Sequence, residues 1–192
     1  MILPILAYGH PKLRQNNNDI TKNYPNLKNL ISDMWETLYA DDGAGLAAPQ
    51  IGKSIRLFIV DSVQIYKNSN SRGRERFIGD EGIKEVFINP EITETNGNMW
   101  IQAEGCLSFP TLSLDIGRKI SCTIKYLNEN FEEKERIFIG TTARVILHEY
   151  DHIEGILFTD YINKEAIKDE LEKISRGDVN VNYKMVFNNS PK

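Results

Sequence analysis

The sequence predicts an α+β fold: mixed, mostly antiparallel strands around a central helix bearing His148-Glu149-Tyr150-Asp151-His152, with an N-terminal helix and a C-terminal helix. Three observations predict it. Several short runs rich in Ile, Val and Phe have strand character. Longer segments repeat apolar residues at helical spacing. The two kinds do not alternate strictly, which disfavours a doubly wound parallel sheet.

The first helix is expected at about 26–40. Leu27, Leu30, Ile31, Met34 and Leu38 recur on one face, Pro25 suits the start, and Gly43 lies beyond the end. Strands are expected at 55–61, 85–89, 119–127 and 135–139. The stretch 66–82, "YKNSNSRGRERFIGDEG", reads as a long surface loop because Asn, Ser, Gly and charge dominate it. Residues 140–155 read as the central helix, with Thr141 or Thr142 as N-cap and Gly155 as its stop. A C-terminal helix is expected at 163–176, capped by Asn163, with Ile167, Leu171 and Ile174 inward and Gly177 past its end. Residues 178–192 read as a tail, within which 179–187 has strand character.

A chain of 192 residues fits one domain, here 1–192. A composition of 41% hydrophobic and 26% charged residues is ordinary for a globular protein. The net charge of −4 argues against a general nucleic-acid binder. Pro4 and the early His10, Lys12 and Arg14 break the order of a secretory signal, and no segment approaches a membrane span. The chain is therefore expected in the cytoplasm. Its two cysteines, Cys106 and Cys122, read as thiols in a reducing compartment.

The chemistry concentrates in "HEYDH". On a helix His148 and His152 lie about 40° apart and one turn above each other, so two imidazoles can share one metal ion. Glu149 is turned about 100° from His148, beside such an ion, where a base can take a proton from water. The blander alternative is an exposed helix carrying polar residues. The apolar flanks Val145, Ile146, Leu147, Ile153, Ile156, Leu157 and Phe158 favour burial, and buried histidines need partners.

A third ligand must come from elsewhere. A longer protease motif would place a histidine at 158, where Phe158 stands. Glu165, Glu170 and Glu172 are open alternatives for a carboxylate ligand, although the last two fit the solvated side of the C-terminal helix. Cys122 alternates with Ile120 and Ile124 and reads as core. Cys106, in the turn-like "AEGCLSFP", is the stronger candidate. Glu104 reads as a structural anchor paired with Arg118, Asp151 as a group rotated off the metal face, and Arg144 as a solvated charge. The stretch "DDGAGLAAPQIG" (41–52) is no phosphate loop; Gly43 and Gly45 allow close backbone approach, and Gln50 offers an amide.

"GAGLAAPQ" (43–50), "EGCLS" (104–108) and "HEYDH" (148–152), in this order and with "HPKLR" (10–14) ahead of them, resemble the peptide deformylase family. Leu147 departs from it, since many members carry Gln there. The resemblance implies that Cys106, His148 and His152 hold a divalent metal, usually Fe²⁺, with Ni²⁺, Co²⁺ or Zn²⁺ able to occupy the site. It implies Glu149 as the base, with Gln50 and the Leu107 N–H stabilising a developing oxyanion. The substrate implied is the formyl-methionine end of a nascent chain, lying along Gly43, Ala44 and Gly45, with its side chain near Ala44, Val145 and Trp100. Hydrolysis would release formate, a step of N-terminal methionine processing in protein biosynthesis. The resemblance further implies a monomeric bacterial cytoplasmic enzyme in transient contact with the ribosome, with neither DNA nor membrane as a partner. An HExxH zinc peptidase, or a non-catalytic relative that binds peptides or the ribosome, are the competing readings.

Overall fold

The fold, a computed structural model, is described for residues 1–188. In chain order it contains β1 (Ile5–Leu6), α1 (Leu27–Tyr39), β2 (Gly45–Ala47), β3 (Leu57–Asp61), α2 (Val63–Asn68), α3 (Ser71–Arg74), β4 (Lys84–Cys106), β5 (Phe109–Leu127), β6 (Glu133–Ile139), α4 (Gly140–Ile153), α5 (Lys168–Arg176) and β7 (Met185–Val186). Strands β2-β3-β4-β5-β6 form an antiparallel sheet in sequence order, and β1 pairs with β7 in parallel. The fold is thus a mostly antiparallel sheet with few helices.

Both faces of that sheet are covered, and the alternation of side chains along a strand explains how. Leu57, Ile59, Val86 and Ile88 face α1 and meet Ile31, Met34 and Leu38. Phe58, Val60, Phe87, Ile124 and Phe138 point the other way and meet Ala143, Ile146 and Ile153 of α4. A strand buried on both faces reads as one continuous apolar run, as "LFIV" does in β3. A third cluster, including Leu13, Phe109, Phe158, Leu171 and Ile174, seals α5 against the base of β5. Among the described residues no helix is long and apolar enough to cross a membrane.

Several expectations need correction. The segment 66–82 is not a plain loop: it takes in the end of α2 and all of α3, and Phe77 is buried beneath it. The strand expected at 85–89 belongs to a strand of 23 residues, and that expected at 119–127 to one of 19. Pro90 and Asn96-Gly97 sit in or beside register shifts that let the ladder continue. Cys106 consequently closes β4 rather than lying within a turn; the turn is Leu107-Ser108. Neither threonine caps α4. Ile139 is at its N-cap position, and Thr142 instead bonds Asp80 and Ser62.

Gly140, the first residue of α4, has φ +67°, and a Cβ there would meet the Arg76 carbonyl at 2.3 Å, so the sharp entry requires glycine. The helix expected at 163–176 starts as a 3₁₀ turn at Lys164–Ile167, capped by Asn163, before α5 begins. Of the expected tail strand only Met185–Val186 forms, and the tail's residues 189–192 lie outside the described chain.

Candidate active site

Cys106 comes from the end of β4, His148 and His152 from consecutive turns of α4, and all three converge. One ligand atom from each lies within 4.8 Å of the others. Cys106 Sγ is 3.2 Å from His152 Nε2, and the two imidazole rings stand 5.1 Å apart at 76°. Both histidines are buried. Burial, reinforced by the neighbouring His148 and Arg118, holds the His152 pKa well below its ordinary value, which favours the neutral, ligating form.

His148 Nδ1 lies 2.9 Å from Glu104 Oε2. A carboxylate can only accept, so Nδ1 carries a proton and Nε2 is the nitrogen left to serve as the ligand. Glu104 is itself held by Arg118, whose Nε and Nη2 donate at 2.7 and 3.0 Å, and by Arg144 Nη1 at 2.5 Å. Arg118 continues to Asp151 at 2.7 Å, and Tyr161 closes the network on Asp151. Burial alone would raise the Glu104 pKa, but hydrogen bonds from His148 and Arg118 bring it down to about 2. Two carboxylates and two guanidiniums thus balance in a buried cluster.

Arg144 is the clearest error of the sequence reading. It is not a solvated charge but 7% exposed, bonding Glu104 and the Ile116 and Trp100 carbonyls. Its place one turn before His148, among apolar neighbours, was the available signal.

Glu149 stands beside the cluster, not in it. It is 4% exposed, its Oε2 has no partner among the described residues, and burial pushes its pKa up to about 7. It is pressed against β2: a Cβ on Gly45 would fall 2.6 Å from Glu149 Cγ and Oε1. Gln50 is also buried. Its Oε1 accepts from the Ala47 N–H at 2.8 Å, while Nε2 makes only long contacts, 3.5 Å to Cys106 Sγ and 3.4 Å to Ser108 Oγ.

A cleft of about 770 Å³ opens over these groups. Gly43, Ala44, Gly45, Gln50, Cys106, Leu107, His148 and Glu149 all line it; His152 lies behind Cys106, outside the lining. Trp100 and Val145 line it too. Glu165, Glu170 and Glu172 are absent from the cluster; Glu172 pairs with Arg176 and Glu165 with Lys168 at the surface. Phe158, where a longer protease motif would place a histidine, packs its ring against His148 and Phe109. Cys122 is core, its thiol pushed up to about 12 by burial.

The donor set fits a metal. A cysteine sulfur and two imidazole nitrogens form a mixed soft donor set of the kind that takes divalent transition ions, and the Glu104 bond orients one imidazole for it.

A family profile described as polypeptide deformylase matches residues 2–168. The chain belongs to the polypeptide deformylase family. Among curated relatives, the peptide deformylase of Christiangramia forsetii is 46% identical over all of this chain and 99% of its own. Among solved structures, peptide deformylase 1B of Arabidopsis thaliana shares 32% identity at a TM-score of 0.77, covering 92% of each chain. A Met-Ala-Ser-bound class I type b peptide deformylase of Acinetobacter baumannii shares 32% identity at a TM-score of 0.73, covering 84% of this chain and 99% of its own. Deformylases are metal-dependent hydrolases, and the chain is an enzyme of that kind rather than a peptidase or a non-catalytic binder.

Two features around the cleft are absent from the sequence analysis. Ser108 is fully buried behind the lining, beside Gln50, and residues 180–183 line the cleft from beyond the end of the family profile.

Proposed function

We propose that this deformylase hydrolyses the N-formyl amide of formyl-methionyl nascent chains at the centre built by Cys106, His148, His152 and Glu149. The observation that carries the reading is the buried Glu149 carboxylate, its Oε2 without a partner among the described residues, wedged between the cysteine–histidine cluster and the Gly45 backbone at the floor of the cleft. Cys106, His148 and His152 would hold the ion, read as Fe²⁺, with Ni²⁺, Co²⁺ or Zn²⁺ as substitutes. Once bound, it supplies Lewis-acid polarisation and lowers the pKa of water from about 16 toward 7.

The protein's own groups do the rest. Glu149 takes a proton from the attacking water as its oxygen adds to the formyl carbon. Gln50 Nε2, only loosely engaged, and the Leu107 N–H donate to the formyl oxygen as charge develops there. Glu149 then gives its proton to the amine nitrogen as the C–N bond breaks, leaving formate and a free α-amino group. The substrate backbone enters as a strand on the open edge of β2. The carbonyls of Gly43 and Ala44 are already engaged, by Gln64 Nε2 and by the Asp61 N–H at 2.8 Å. Antiparallel alternation turns the Gly45 peptide groups away from β3, so pairing centres on Gly45 rather than running evenly along 43–45. Ala44, Val145 and Trp100 would receive the methionine side chain.

One domain spanning 1–192, a monomer, transient ribosome contact and a bacterial cytoplasmic location belong to the same reading; the first is supported by cleft walls drawn from 41–50, 100–113, 141–149 and 180–183. The test is formate release from formyl-Met-Ala by protein loaded anaerobically with Fe²⁺. Turnover is expected, with decay on air exposure that Ni²⁺ loading prevents, because a ferrous thiolate centre oxidises readily. Metal-replete protein that yields no formate overturns the assignment, and equal decay of both forms removes iron.

Gly45→Ala probes the floor directly. The new methyl would overlap the Glu149 side chain and push the carboxylate aside. A displacement near 1 Å costs about 10²-fold in activity, and the expected loss in kcat is of that order with metal content unchanged. Wild-type turnover in Gly45→Ala would show that Glu149 has no fixed working position.

A further inference from the structure

The two-residue turn Leu107-Ser108 links Cys106 to Phe109 directly after a register shift at Gly105/Cys106. Both of its carbonyls are held by chain ends that lie outside the three signature motifs. Ser108 C=O accepts from the Tyr8 N–H at 2.8 Å. Leu107 C=O accepts from the Tyr183 hydroxyl at 2.6 Å. Tyr183 arrives on a braced segment. Gly177 turns the chain at φ +82° against the Phe187 ring, and β7 then pairs with β1 through Ile5 N–H to Lys184 C=O at 2.8 Å and Ala7 N–H to Val186 C=O at 2.9 Å. Asn180, Val181, Asn182 and Tyr183 line the cleft, and all lie past residue 168, where the family profile ends.

We propose that Tyr183 is a positioning residue of the active site: by holding the Leu107 carbonyl, it fixes the turn that aims the Leu107 N–H at the formyl oxygen. This rests on the oxyanion reading given above for Leu107. The Leu107 N–H makes no hydrogen bond among the described residues, so it is free to donate, but its direction depends on how rigidly the turn is held. An oxyanion donor works only when it is aimed before charge develops. Leu107 also packs its side chain against the α1 core cluster and beside Gly43, so the turn is gripped by its side chain on one side and by Tyr183 on the other. Burial raises the Tyr183 pKa, which keeps the hydroxyl a donor.

The test is Tyr183→Phe, which keeps the ring and removes only the hydroxyl. With formyl-Met-Ala and saturating Ni²⁺, kcat is expected to fall about 3- to 10-fold, the weight of one hydrogen bond. KM and the affinity for the product Met-Ala should stay within about twofold, since the product has no formyl oxygen to stabilise, and the Tm should fall by only about 2–4 °C, the stability weight of one hydrogen bond. Tyr183→Leu should show the same kcat loss plus a further drop in Tm from losing the ring. An unchanged kcat in Tyr183→Phe overturns the proposal, as does a loss shared equally by KM, product affinity and Tm, which would mark a purely structural tyrosine. Wild-type protein that holds its ion and releases no formate removes the reaction and this proposal together. Normal wild-type turnover with an unaltered Tyr183→Phe removes the proposal alone.

Discussion

Glu149→Gln should lower kcat for formate release by about 10²- to 10⁴-fold, the usual weight of a positioned general base, while the protein still binds one divalent ion. The separation of effects follows from the geometry. Glu149 lies beside the Cys106, His148 and His152 cluster, and none of those ligands depends on it for a hydrogen bond. Gln keeps the shape pressed against Gly45 and removes only the ability to take a proton. Burial already disfavours the charged carboxylate and lifts its pKa to about 7, so exchanging it for a neutral amide should cost little stability. Kinetics at saturating metal, metal stoichiometry and a thermal melt check the three parts. Activity within about threefold of wild type would mean that another group moves the proton.

The parts of this site legible in the sequence are those fixed by spacing along one element. The four-residue interval between His148 and His152 has one meaning once the flanks bury the segment, and α4 does run from Gly140 to Ile153. The two-sided apolar run of β3 was equally readable, since each residue faces a helix. What could not be read depends on register between distant strands. The stretch from Glu91 to Cys106 is largely polar and contains an Asn-Gly pair, yet it pairs with β5 across several register shifts and so sets Cys106 and Glu104 opposite α4. Arg144 was misread for the same reason: its partner Glu104 is 40 positions away and only the hairpin brings it near. The grip of Tyr183 on Leu107 spans 76 positions, and nothing local to "VNVNYKMVF" announces it.

Glu104→Ala is the substitution expected to harm the fold most, and the reason lies in what it leaves behind. Glu104 is 7% exposed and accepts from Arg118, Arg144 and His148 together. Arg118 would keep Asp151, and Arg144 would keep two backbone carbonyls, but a buried pair of guanidiniums would face each other with one carboxylate in place of two. Removing one partner of a buried ion pair costs about 3–5 kcal/mol, a large share of the roughly 5–15 kcal/mol that holds an ordinary domain folded. His148 would also lose the acceptor that fixes its tautomer, so metal affinity should fall about 10- to 100-fold. Urea unfolding of the metal-free protein reads the first effect, and competition with a chromophoric chelator reads the second. Glu104→Gln should retain part of the hydrogen bonding and fall between the two. Asp151→Asn should be milder, because Asp151 touches neither histidine and serves Arg118 and Tyr161 alone. If Glu104→Ala unfolded at the wild-type urea concentration with unchanged metal affinity, the charges around His148 would be independent of one another. The tie from β4 through Glu104 to α4 would then have no part in holding the metal centre.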